Sequence, residues 1–227
     1  MKHHTETEEN YLKCILRFSL MGETPVSNNT IANYLGIKPG SVTGMLIRIR
    51  DKNKQQPLIN YTSHKGVSLT DHGKKIALGI LRKHRLWEVF LVSKLNFSWD
   101  NVHEVAEQLE HIQSQELIDR LDKFLGYPKF DPHGDPIPTA EGTIEVLDTP
   151  LLKDIEEGES VIIASVRRSD PDFLQYLERL GLLINTRIKV KEKLKFDDSL
   201  EVIIDNKSMM ISGTVSENLR VLRENEQ

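Results

Sequence analysis

Along the first 70 residues, apolar positions recur at helical spacing in three runs and then switch to alternation. Tyr11, Leu12, Ile15, Leu16 and Phe18 mark one helix from Glu8 to Leu20, and Gly22 closes it. In VSNNTIANYLGIKPGSVTGMLIRIRDKN, Ser27 or Asn28 caps a short helix bearing Ile31, Ala32, Tyr34 and Leu35. Gly36-Ile37 turns the chain, and Pro39 opens the next helix, where a missing N–H costs nothing. Val42, Met45, Leu46 and Ile49 form that helix's buried stripe, which leaves Lys38, Gly40, Ser41, Thr43, Gly44 and Arg48 facing out. LINYTSHKGVSLT then alternates as two short strands about a Ser63-His64-Lys65-Gly66 turn, and Thr70 caps the long helix DHGKKIALGILRKHRLWEVFLVSKL. Past the proline-rich connector DPHGDPIPTAEGT, helical periodicity gives way to the short strands ESVIIASV, TRIKVKEKL, LEVIIDN and KSMMISG. One helix, DFLQYLERLG, interrupts them and ends at Gly181. Four or five strands with one helix suggest a small barrel.

These elements predict a mainly α chain with small β parts, divided at 1–75, 76–140 and 141–227. Two short helices joined by a glycine turn, the second opening with small polar residues, form the helix-turn-helix pattern, and the strands behind it make a wing. Small residues let a helix N-terminus enter the major groove, where hydroxyls and backbone N–H groups reach phosphates and base edges. Lys65 at the wing tip and Arg48, Arg50, Lys52 and Lys54 add sequence-independent attraction. The competing reading of the two helices alone is a simple αα-corner.

At 38% apolar and 28% charged residues the chain is an ordinary globular protein. No apolar run reaches the roughly 20 residues that span a bilayer, and MKHHTETEEN has no signal-peptide core. The lone Cys14 excludes an internal disulfide framework and fits a reducing cytoplasm. The net charge of −4 is unevenly spread: residues 1–75 carry 11 Lys/Arg against 6 Asp/Glu, and residues 76–227 carry 19 against 28. A basic N-terminal part ahead of an acidic remainder points to a polyanion partner for the first part.

The chemistry concentrates between His84 and His111. His84 and Glu88 stand one helical turn apart, and His103, Glu107, Glu110 and His111 fall at i, i+4, i+7 and i+8 of the next helix. Such stripes normally hold apolar residues, and inward-pointing carboxylates and imidazoles are how helical folds build divalent-metal sites. The alternative is a solvated charged face, but the stripe contains no Lys or Arg. His64 and His72 read as exposed bystanders, and His3 and His4 as inert positions at a frayed end. Cys14 reads as a small buried thiol.

With the winged helix-turn-helix, RKHRLWE, VHEVAEQLEH and FDPHGDPIP in order, the chain resembles the diphtheria toxin repressor family of metal-dependent transcriptional regulators, including its manganese-responsive branch, over about residues 5–225. The C-terminal part resembles the FeoA-like domain, related to Src-homology-3 barrels, of the family's longer members. The resemblance implies a homodimer that binds palindromic operator DNA when loaded with divalent metal and controls metal homeostasis, with two metal sites per protomer. His84, Glu88 and His103 match the ancillary site; Glu107, Glu110 and His111 match the helix-borne part of the primary site. Asn10 stands where the family has Met or Asp as a first-helix ligand, and Lys13 stands where short manganese regulators have a second carboxylate, so a binuclear site of that kind is not expected. Asp131 replaces a cysteine ligand of some relatives or forms a turn before Pro132; His133 reads as structural. Asp172, with Asp170 near it, matches a position from which the barrel lends a ligand, or caps the helix there.

Every candidate ligand is oxygen or imidazole, which suits Mn(II) and accepts Fe(II), with manganese favoured. No organic cofactor, membrane or enzymatic activity is expected. In the switch this implies, Glu107, Glu110 and Asp131 repel one another until a dication draws them together and sets the spacing of two recognition helices. Two other classes remain in view: a winged-helix regulator of an organic ligand, which leaves the His/Glu stripe idle, and a metallohydrolase, for which HExxH is missing. The apolar stripe Ile112, Leu117, Leu121 and Leu125 serves either a dimer face or the core.

Overall fold

The computed structural model of the chain describes residues 4–52, 54–145 and 148–223; His3 lies outside them. The helices are α1 (Glu6–Leu20), α2 (Asn28–Leu35), α3 (Pro39–Lys52), α4 (Asp71–Leu95), α5 (Val102–Leu109), α6 (Gln115–Phe124), α7 (Pro171–Leu180) and the short α8 (Gly213–Ser216). The strands are β1 (Ile59–Thr62), β2 (Gly66–Leu69), β3 (Ser160–Val166), β4 (Arg187–Leu194), β5 (Ser199–Ile204), β6 (Lys207–Ile211) and β7 (Leu219–Arg223). They fall into two compact units. One is drawn from Met1–Trp87, Glu107–Asp119 and Ile137–Glu145; the other from Glu88–Ala106, Arg120–Pro136 and Val146–Gln227. The middle segment, 76–140 by sequence, is shared between them.

In the first unit α1 starts with a capping box: Glu8 N–H donates to the Thr5 hydroxyl, and the Glu8 carboxylate accepts from Thr5 N–H. Its apolar face, Tyr11, Leu12, Ile15 and Leu16, is buried with Val26, Ile31, Val42, Leu46 and Ile49. Cys14 is fully buried there, and burial pushes its thiol up to about 12, which keeps it from acting as a thiolate ligand. Ser27 caps α2, Gly36 ends it in the left-handed conformation, and Thr70 caps α4 by accepting from Gly73 N–H. The antiparallel pair β1–β2 makes the wing, and Val67 on β2 exchanges backbone hydrogen bonds with Val26 ahead of α2. Gly66 has φ +92°, and a Cβ there would meet the Val26 carbonyl at 2.5 Å, so only glycine serves at this junction.

In the second unit five antiparallel strands run in the order β6-β5-β4-β3-β7, with register shifts in β3 and β4 that bend the sheet. The short alternating LRVLR makes β7, a strand beyond the four whose alternation stands out in the sequence. Alternate residues of this sheet (Val161, Ile163, Ile188, Val190, Leu200, Val202, Leu219 and Val221) pack with Phe173, Leu174 and Leu177 of α7 into one core. The loop Asp131–Pro136 is docked on β3: Val166 N–H donates to the His133 carbonyl, and Gly134, φ +82°, lies so close to Ala164 that a Cβ would overlap its carbonyl oxygen.

Candidate metal centre and nucleic-acid face

Helix α3 buries Val42, Leu46 and Ile49, which leaves Lys38, Gly40, Ser41, Gly44 and Arg48 exposed. A Cβ added at Gly40 or Gly44 would meet nothing within 4 Å, so this face is bare. Thr43 is half-buried and already used: its hydroxyl accepts from Asn28 Nδ2 at 2.9 Å, and the same amide reaches the Tyr61 hydroxyl at 3.3 Å. Thr43 thereby helps hold α2, α3 and the wing in register. Lys65 is exposed at the wing tip, beside His64 in the left-handed conformation.

In the second unit the donors gather on Glu88, which is 2% exposed. His103 on α5 donates from Nδ1 to Glu88 Oε1 at 3.2 Å. Glu88, Asp131 and His133, all buried, each offer a ligand atom, and these atoms lie within 4.8 Å of one another. Asp131 makes the turn that sequence reasoning allowed for: its Oδ1 accepts from His133 N–H at 2.8 Å and Asp135 N–H at 3.0 Å. That turn also brings it into the donor group, so the two readings of Asp131 are compatible. His133, read from sequence as structural, donates from Nε2 to the Trp99 carbonyl at 2.8 Å and stacks on the Trp99 ring. A carbonyl can only accept, so the ring's lone pair is on Nδ1, the atom nearer Asp131. An imidazole with one nitrogen fixed by a backbone carbonyl is how metal-ligating histidines are oriented. Two carboxylates and two imidazoles without sulfur suit a hard to borderline dication, so these residues fit a metal.

The first unit holds a second set of acids and imidazoles, arranged differently. Helix α5 ends at Leu109, so Glu110 and His111 sit in the turn after it rather than on its stripe. The expected single helical face of four ligands is therefore divided. Glu110, fully buried, accepts from His84 Nδ1 at 2.7 Å. Lys13 of α1 places its ammonium 3.1 Å from Glu107 Oε1 and 2.7 Å and 2.6 Å from the two oxygens of Glu110. His111 donates from Nδ1 to Glu9 Oε2 at 2.6 Å, and Gln113 donates to Glu9 Oε1 at 3.1 Å. The mutual repulsion of Glu107 and Glu110 expected from sequence is thus relieved by a lysine of the same chain. Burial pushes Lys13 down, but the carboxylates of Glu110 and Glu107 outweigh it and hold the ammonium above its usual range. Burial likewise pushes Glu110 up, and the His84 hydrogen bond and the Lys13 charge reverse this to a net depression. Asn10, the expected first-helix ligand position, is half-buried; its neighbour Glu9 is the α1 residue that reaches His111. Neither Glu9 nor Gln113 is singled out by spacing, because their partners lie about a hundred residues away or in a turn.

Asp172 is exposed on the first turn of α7, and the cap of that helix is Asp170, which accepts from Phe173 N–H at 3.2 Å and pairs with Arg168 at 2.8 Å. One turn after Asp172, Gln175 donates to Asp100 at 2.7 Å and holds that carboxyl below its usual range.

Comparison with known proteins bears on all three regions. Residues 3–67 match the family described as iron dependent repressor, N-terminal DNA binding domain. Residues 70–139 match iron dependent repressor, metal binding and dimerisation domain, and residues 151–223 match the FeoA domain. The iron-dependent repressor IdeR of Mycobacterium tuberculosis is 28% identical over 207 residues, covering 84% of this chain and 86% of that protein. A manganese-dependent transcriptional repressor solved in complex with manganese superposes with a TM-score of 0.82 at 32% identity, covering 95% of this chain and 99% of that one. The structure of ScaR with bound Cd2+ gives 0.74 at 33% identity, covering 95% and 99%.

Proposed function

We propose a function from one premise: this chain belongs to the iron-dependent repressor family of metal-dependent transcriptional regulators. The relatives described above are repressors. The protein binds palindromic operator DNA as a homodimer when it holds Mn(II) or Fe(II), and so controls metal homeostasis from the cytoplasm. The observation that carries the reading is the buried group of Glu88, Asp131 and His133 in a chain that opens with a winged helix-turn-helix.

Glu88, His103, Asp131 and His133 would hold the ion. A dication bound there would supply positive charge to the buried carboxylates of Glu88 on α4 and Asp131, and its ligands would come from α4, α5 and the Asp131 loop. The Asp131 turn and the Trp99 carbonyl keep the loop's donors in place beforehand. Gly40, Ser41, Gly44 and Arg48 of the recognition helix and Lys38 just ahead of it meet the major groove, Thr43 braces the helix, and Lys65 meets a phosphate. In the dimer the two recognition helices enter successive grooves roughly 34 Å apart.

Fluorescence anisotropy of a palindromic duplex from a metal-uptake promoter tests this, with Mn(II) and then with excess chelator. Mn(II) should tighten binding by about 5–150-fold, the range of ordinary allosteric couplings, and chelation should reverse it. Equal binding by the chelated protein would remove the metal from the account.

A further inference from the structure

In the first unit, the family's primary metal position is built from donors that this chain has already engaged. Glu107 and both oxygens of Glu110 face the Lys13 ammonium, Glu110 also accepts from His84, and His111 gives its Nδ1 proton to Glu9. Lys13 is only 9% exposed and lies on α1, whereas Glu107 ends α5 and Glu110 follows it, so the ammonium bridges two elements far apart in sequence. A point cation between two carboxylates, on a stem already buried, does there what a dication does elsewhere: it cancels the repulsion and ties the first helix to the segment behind α5. Any ion entering would meet a positive charge within contact distance of the two oxygens it needs, so this donor set does not fit a metal. In the Glu88 group of the second unit, Glu88 accepts from His103, Asp131 accepts from backbone N–H groups, and His133 donates to the Trp99 carbonyl.

We propose that Lys13 is the resident cation of the primary position, and that the protein therefore takes one dication per protomer, at the Glu88 group. This rests on the repressor reading for its biological role, but its test needs no DNA. Ion stoichiometry is measured on the full chain by equilibrium dialysis against Mn(II) with elemental analysis. Wild type should bind one Mn(II) per protomer, Glu88→Gln close to none, and Glu107→Gln one. Lys13→Met, which removes the ammonium from Glu107 and Glu110, should bind two. Glu107 has a 45% exposed side chain, so Glu107→Gln is expected to fold, and it decides the question even where Lys13→Met does not yield folded protein. Two ions in wild type, falling to one in Glu107→Gln, would overturn the proposal. So would a folded Lys13→Met variant that still binds one, since the lysine would then not be what keeps the second ion out. Loss of metal-dependent DNA binding with these stoichiometries intact would count against the repressor reading alone.

Discussion

The two clusters of acids and imidazoles hold the same residue types, and their difference lies in what stands opposite them. Around Glu88, buried carboxylates meet two imidazoles, and one of them, His133, is fixed by the Trp99 carbonyl. Around Glu110, an equally buried carboxylate meets an ammonium from the first helix. Glu and His at helical spacing therefore specify where charge is buried. Whether that charge awaits a metal depends on a third element that the spacing does not contain.

The largest effect that would sharpen this contrast is on stability. Lys13→Met removes the ammonium from the buried Glu110, and breaking one partner of a buried pair costs about 3 kcal/mol or more. Urea unfolding of the metal-free protein should show that loss, and a midpoint like that of wild type would mean the pair contributes no net stability. Next in size is His133→Gln, which removes one donor of the Glu88 group and should weaken Mn(II) binding about 10–100-fold with little change in fold. Calorimetric titration giving an unchanged affinity would return His133 to a purely structural role. The smallest is the response to pH. Glu110 is held below its usual range, so the folded state binds fewer protons there than the unfolded chain does. The stability this gives is complete above the ordinary glutamate pKa of about 4.3 and is lost as pH falls from there through the depressed native value. The metal-free protein should lose urea resistance below about pH 4.3, and Glu110→Gln should flatten that slope. An unaltered slope in Glu110→Gln would assign it to other carboxylates.

Much of this was legible in the chain. Periodicity placed the winged helix-turn-helix, because Val42, Leu46 and Ile49 alternate with small and basic residues on one helix and Thr70 caps the next. The end of α5 was not legible: VHEVAEQL keeps its register into Glu110 and His111 with no glycine or proline to mark the stop, so two turn residues read as a helical stripe. Lys13 was visible as a departure from the family's carboxylate, but its partners lie 94 and 97 positions away, beyond any local pattern. His133 was discounted because Pro132 and Gly134 mark a turn; only the fold brings the Trp99 carbonyl to its ring. The strand β7 is not among the strands named from the sequence because LRVLR is only five residues long.

The contrast between the clusters is tested most directly by operator affinity against free Mn(II) in two variants, Glu88→Gln and Glu107→Gln. The account predicts that Glu88→Gln binds the duplex equally with and without Mn(II), while Glu107→Gln keeps the metal-dependent gain of wild type. The reverse, with Glu107→Gln unresponsive and Glu88→Gln normal, would contradict it.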